Sequence, residues 1–251
     1  MTIFWIVFSG MFGLVVGSFL NVCIDRLPAK KSLAYPPSHC DACQHPLEIW
    51  DLIPVVSYIW LRGKCRYCGA RIPQRLPWVE LVTGILFAFL FWRYGLDYKF
   101  FLIALYSCIL LVLAFIDLQH KLILNVIIYP AAVIALIVGF FLPEFDIYKG
   151  VLGGAVGFAI LMLPALVSRT GMGWGDVKMA GLIGLMTGYP RVFVGLFLGI
   201  LSGGLIAIML LVLKKRSRKD AIPFGPFLAL GAFAALIYGQ EILNWYLALF
   251  T

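Results

Sequence analysis

The chain has 251 residues, 63% of them hydrophobic and 13% charged, with 20 Lys and Arg against 12 Asp and Glu for a formal charge of +8. Soluble domains carry about 25% charged residues, so this composition excludes a soluble globule and indicates an all-α membrane protein. The positive charge does not indicate nucleic-acid binding, because loops on the inner side of a membrane collect Lys and Arg.

Crossing a hydrocarbon core takes about 20 apolar residues. On that measure the chain is a polytopic bundle of about eight transmembrane helices, at 3–24, 78–94, 99–116, 122–142, 148–168, 175–189, 191–213 and 224–249. The first run, Ile3 to Leu20, lacks a basic flank and a small-residue cleavage site, and Asn21-Val22-Cys23 continues it. It reads as a retained helix rather than a signal peptide. The sixth span is the shortest; it starts inside a glycine turn and carries Lys178 near its beginning. Three parts are expected: a first transmembrane helix (1–24), a cytoplasmic four-cysteine zinc domain between helices 1 and 2 (25–77), and a transmembrane remainder (78–251).

With the N-terminus outside, only Arg93, Lys99, Lys149 and Arg191 of the 20 Lys and Arg lie on the outer side. The positive-inside rule favours that orientation. The Lys214–Lys219 cluster is then a cytoplasmic topology anchor, and no nucleic-acid partner is implied.

Within 25–77, Cys40-Asp41-Ala42-Cys43 and Cys65-Arg66-Tyr67-Cys68 are two C-x-x-C pairs separated by 21 residues. Two such knuckles suit a closed, structural zinc site with Cys40, Cys43, Cys65 and Cys68 as ligands. Gly69 permits the tight turn that a knuckle needs. Two disulfides are the alternative, which a reducing cytoplasm disfavours. His39 and His45 stand nearby, but four cysteines complete the set. Cys23 and Cys108 fall in or beside apolar spans and read as small buried hydrophobes. Glu80, just inside the second span, is expected to pair with an arginine of this basic loop.

Two acids stand at the ends of apolar segments. Asp117 closes Leu111-Val112-Leu113-Ala114-Phe115-Ile116-Asp117, and Asp176 lies in Gly171-Met172-Gly173-Trp174-Gly175-Asp176-Val177-Lys178. Ionisable groups at a membrane margin are costly and mark function by default. The charge count puts both on the cytoplasmic face, where two carboxylates sharing a proton perform general acid and base chemistry. The glycines allow close approach of a helix or an extended substrate. They follow a helix rather than a strand and match no nucleotide-binding spacing. Helix capping is the competing account. It suits Asp176, at the start of a helix, better than Asp117, which meets the negative end of a dipole unless Lys121 pairs with it.

Together these motifs resemble the bacterial type IV prepilin peptidase family, over nearly the whole chain. Gly17-Ser18-Phe19-Leu20-Asn21-Val22 with Arg26-Leu27-Pro28 is similar to its N-terminal signature. Ser38-His39-Cys40 to Cys43, Ile53-Pro54, Ser57, Arg62-Gly63-Lys64-Cys65, Cys68 and Pro77 to Glu80 resemble its cytoplasmic domain. The turn at Asp176 with Lys178, and Pro223-Phe224-Gly225-Pro226-Phe227, resemble two further signatures. One departure is local: Leu124-Asn125 stands where members commonly carry a proline and an acid.

The resemblance implies a membrane aspartyl endopeptidase of the bacterial cytoplasmic membrane, with Asp117 and Asp176 as catalytic pair. It would remove the leader of prepilins or pseudopilins, before their N-terminal hydrophobic helix, on the cytoplasmic side. It also implies N-methylation of the new N-terminus with S-adenosylmethionine. The 25–77 segment is too short for a methyltransferase sheet domain, so candidate cofactor contacts are Asn21, Arg26 and Glu80. Helix packing and ion pairing account for these three equally well. Two other classes remain open: a transporter using the acids to carry cations, and an inert scaffold of a pilus or secretion machine.

Overall fold

The computed structural model describes residues 2–142, 146–167, 173–213 and 222–249. The first residues of the glycine turn, Gly171 and Met172, and the Lys214–Lys219 cluster lie outside them. The described residues form nine α-helices and one short 3-10 helix, Ile49–Leu52: α1 Thr2–Arg26, α2 Val56–Trp60, α3 Arg75–Tyr94, α4 Tyr98–His120, α5 Asn125–Phe141, α6 Ile147–Val167, α7 Trp174–Thr187, α8 Arg191–Val212 and α9 Gly225–Ala248. Six of them (α1, α3, α4, α6, α8 and α9) are long and apolar enough to cross a membrane. The chain is thus an all-helical, multi-pass membrane protein. α5 has 17 residues and α7 has 14. At about 1.5 Å per residue, α7 reaches about 21 Å, short of a hydrocarbon core of about 30 Å.

The chain divides into two compact units, Met1–Cys108 and Ile109–Thr251. In the first, α1 runs against α3 along a glycine seam. A Cβ on Gly13 would meet the Phe87 Cβ at 2.7 Å, and one on Gly17 would meet the Glu80 Cα at 2.7 Å. Small residues let helix backbones touch where lipid supplies no hydrophobic drive for association. Ser9 adds a buried bond from its hydroxyl to the Phe87 carbonyl at 3.1 Å.

In the second unit, α7 contacts α5, α6, α8 and α9. Val177, Met179, Ala180, Leu182, Ile183, Met186 and Thr187 are all buried. A helix that is apolar on every side belongs inside a bundle, which is why a helix too short to span is kept. Its seam with α6 is again glycine on glycine: a Cβ on Gly184 would strike the Gly153 carbonyl. α8 and α9 repeat the device, with a Cβ on Gly199 lying 3.1 Å from the Leu228 Cα.

Candidate active site and cysteine centre

Asp117 lies in the last turn of α4 and is 5% exposed. Its Oδ2 accepts the backbone N–H of Gly225 at 2.8 Å. Gly225 is the first residue of α9, so the acid, misplaced for its own helix, sits at the positive end of another. A Cβ at position 225 would lie 2.8 Å from that same oxygen, so only glycine admits the carboxylate. α4 stops three residues later. Lys121 takes φ 53 and its N–H returns to the Asp117 carbonyl at 2.8 Å, the left-handed helix stop usually made by glycine.

Asp176 is the third residue of α7, whose N-cap is Gly173. As an acid in the first turn it meets the positive end of that helix dipole. The capping role expected for Asp176 is therefore present. Both acids belong to the second unit, Asp117 in the last turn of α4 and Asp176 in the first turn of α7. The segment after α4 holds the start of α7. A Cβ on Gly175 would lie 2.8 Å from the Ile123 Cβ. Lys178 Nζ donates to Asn125 Oδ1 at 3.0 Å and lies 5.9 Å from the Tyr129 ring centroid. Asn125, noted in the sequence only as the neutral residue of a departure, is thus the acceptor for Lys178.

The four loop cysteines gather in the first unit. Their sulfurs all lie within 4.8 Å of one another, and Cys40 Sγ and Cys68 Sγ are 3.8 Å apart. Zinc with Zn–S bonds of about 2.3 Å at tetrahedral corners places its sulfurs about 3.8 Å apart. All four are free thiols, so the disulfide alternative does not hold in this structure. The two knuckles have the same backbone. Cys40 N–H meets the His45 carbonyl at 3.0 Å and Gln44 N–H the Cys40 carbonyl at 2.8 Å; Cys65 N–H meets Ala70 at 2.8 Å and Gly69 N–H the Cys65 carbonyl at 3.0 Å. Both turn residues are left-handed, Gly69 at φ 71 and Gln44 at φ 59.

The N–H groups of Cys43 and Ala42 pull the Cys40 thiol down to about 7. Cys68 accepts the Ala70 N–H, which pulls it down, but burial and the neighbouring Cys43, Cys65 and Cys40 thiols push it up to about 12. Four sulfurs this close ionise together only around a cation. The two histidines are used elsewhere: His39 Nδ1 pairs with the Pro37 carbonyl at 3.0 Å, and His45 stacks on Tyr67 with centroids 3.7 Å apart.

Beside this centre, a cavity of about 950 Å³ is lined by all three candidate cofactor residues, Asn21, Arg26 and Glu80. Asn21 is 5% exposed, and its Nδ2 donates to the Leu76 carbonyl at 3.0 Å while its Oδ1 has no partner. A buried polar atom left unpaired costs about 1–3 kcal/mol. Arg26 spends its guanidinium on carbonyls, reaching Ser32 at 2.9 Å and Pro36 at 2.6 Å. Glu80 corrects the expected ion pair. Its Oε2 accepts the Val55 N–H at 2.8 Å, while Arg75 pairs with Asp25 at 2.7 Å. Among the described residues Glu80 makes no ion pair, and the loop meets it with a main-chain N–H instead.

The profile described as the bacterial peptidase A24 N-terminal domain matches residues 11–94, and that of the type IV leader peptidase family matches residues 104–208. A prepilin leader peptidase/N-methyltransferase of Bacillus subtilis is 32% identical over 240 residues, 94% of this chain and 96% of its own length. Proteins of the same name from Pseudomonas putida and Aeromonas salmonicida are 32% and 31% identical, over 95% and 97% of this chain and 92% and 95% of their own lengths. The chain belongs to the type IV leader peptidase family. No solved structure matches it.

Against this family background, four residues went unread as parts of a site. Gly225 was quoted within a signature but not as the partner of Asp117, since a backbone donor leaves no side-chain pattern. Gln44 repeats the part of Gly69 without being a glycine. Val55 takes φ 61, strained for a β-branched residue, and nothing in Pro54-Val55-Val56 signals it. Leu76 acts through its carbonyl alone.

Proposed function

We propose that this leader peptidase is an integral-membrane aspartyl endopeptidase with Asp117 and Asp176 as its catalytic pair. It removes the leader of type IV prepilins or pseudopilins on the cytoplasmic side of the bacterial cytoplasmic membrane. The observation that carries the reading is that the second unit packs two acids, distant in sequence, at helix termini: Asp117, at the end of α4, is buried against the start of α9, and Gly175, beside Asp176 at the start of α7, packs on Ile123 just after α4. One ionised carboxylate takes a proton from water, whose oxygen attacks the scissile carbonyl. The other, protonated, donates to the carbonyl oxygen; the first then passes the proton taken from water to the leaving amine, while the second recovers its own as the tetrahedral diol collapses to the acid. No covalent intermediate is needed. The Gly225 N–H fixes one Asp117 oxygen and leaves the second for water.

The names of the relatives support a second activity, N-methylation of the new N-terminus. Asn21, Arg26 and Glu80 would hold the donor, and the orphaned Asn21 Oδ1 with the surrounding cavity fits a polar ligand. S-adenosylmethionine bound there would supply the methyl group. Zinc on Cys40, Cys43, Cys65 and Cys68 is structural, since four protein ligands leave no open position. In this reading 1–24 is the first transmembrane helix, 25–77 the zinc domain and 78–251 the peptidase part, with α5 and α7 completing eight membrane-embedded helices.

The test incubates the purified protein in detergent with a prepilin-like peptide, with mass spectrometry to follow the leader. Asp117→Asn and Asp176→Asn are each expected to lower cleavage about 10³-fold or more, while inserting in the membrane as before. Cleavage at the normal rate by either variant would overturn the assignment.

A further inference from the structure

We infer that Asn21 and Glu80 form a subsite for a primary ammonium group in the cavity of the first unit. Three observations meet there. First, the Asn21 amide is oriented by its bond to the Leu76 carbonyl, which demands a donor, so Oδ1 is left as a buried acceptor with no partner. Second, Glu80 lines the same cavity, accepts the Val55 N–H, and makes no ion pair among the described residues. A carboxylate has about four acceptor positions, so it has room for more donors and a cation. Third, Val55 reaches Glu80 only from a strained backbone, φ 61 and ψ −46, and strain of this kind gathers at ligand sites.

Other charges of the wall are already engaged: Asp25 by Arg75, Asp51 by Arg66, and Arg26 by loop carbonyls. Lys31, Asp41 and Arg71 also line the cavity but belong to its loop, whereas Asn21 and Glu80 belong to the helices. An unpaired carbonyl and an unpaired carboxylate are completed by three N–H donors carrying one positive charge. Two groups have that chemistry: the α-ammonium of the methyl donor, and the new N-terminal amine of a cut peptide. Naming the first of these rests on the methyltransferase reading, and naming the second on the peptidase reading.

Binding to the full-length protein in detergent tests it. The probes are S-adenosylhomocysteine against its des-amino analogue, and a peptide with a free N-terminal phenylalanine against its N-acetyl form. The wild type is expected to prefer the amine in at least one pair by tenfold or more, and the pair that shows the preference identifies the source. Glu80→Gln should cut the preference below threefold, and Asn21→Ala should reduce it at least threefold. Zinc content and elution volume report folding, and Asn21→Ala carries the test should Glu80→Gln misfold. No amine preference in either pair, or a preference unchanged in both variants, would overturn the subsite. S-adenosylhomocysteine binding without amine preference overturns it while leaving the methyl-donor reading intact. A Glu80-dependent preference for the free peptide amine without S-adenosylhomocysteine binding supports the subsite and removes the donor from this cavity.

Discussion

Asp117 and Gln44 show what a single residue can conceal from its sequence. Asp117 stands where its own helix dipole repels it, and the compensating donor is a backbone N–H 108 residues away. Pro226, next in α9, has no N–H to compete. Gly225→Ala is therefore expected to push the carboxylate off its donor and lower cleavage about 10- to 100-fold, roughly the worth of one or two charge-assisted hydrogen bonds. Peptide cleavage at saturating substrate checks it, with membrane insertion as control. The acid itself was legible, as a charge ending an apolar run; its partner was not, because every residue but proline has an N–H. The knuckles divide the same way. Gly69 was legible as a turn residue, whereas Gln44 holds the equivalent left-handed turn unadvertised. Gly69 has nothing within 4 Å of an added Cβ, so Gly69→Ala costs backbone strain alone, about 1 kcal/mol, and zinc should leave faster under chelator challenge. Gln44→Gly relieves the same strain and should slow that release.

At the scale of elements, hydropathy located the helices but not their ends. The third span was expected at 99–116, yet α4 runs from Tyr98 to His120, so Asp117 lies within a helical turn instead of ending it. Apolar runs show where polarity begins, not where backbone hydrogen bonding stops. Glu80 was misread for a related reason: ion pairing with a basic loop is a matter of composition, and the loop met it with a main-chain group instead. The 3-10 helix was absent from the sequence reading, although it ties the zinc loop together. Its Asp51, 3% exposed, accepts from Arg66 Nε at 2.7 Å, and from the Tyr67 hydroxyl at 3.2 Å. Burial raises this carboxyl, but the Arg66 bond, the Glu48 N–H and the Arg66 charge outweigh it and hold it below the usual range. A depressed acid contributes fully above its unfolded value of about 3.9 and loses that contribution as pH falls through the folded value. Amide exchange across 48–67 should therefore quicken in Asp51→Asn at pH 7. Variant and wild type should converge only as pH falls below the depressed folded value.

For the whole molecule, the separation into Met1–Cys108 and Ile109–Thr251 coincides with the two family profiles, 11–94 and 104–208. The cysteine centre and the cavity lie in the first unit, and both acids lie in the second. Removing zinc is expected to abolish methyl transfer and ligand binding in the cavity while leader cleavage keeps at least half its rate. Mass spectrometry of one peptide reports both products before and after chelation. The all-helical membrane class and the cysteine cluster were legible from composition and spacing, which are local. The setting of Asp176 was not, since it depends on how α7 is enclosed by α5, α6, α8 and α9.

The bond from Gly225 to Asp117 also imposes an order in time. Ribosomes make the acid long before they make its donor, so a chain still being threaded into the membrane holds a carboxylate without its anchor. With Asp117 in the proposed catalytic pair, proteolytic competence would wait for α9 to insert, and an unfinished chain would not cut its neighbours.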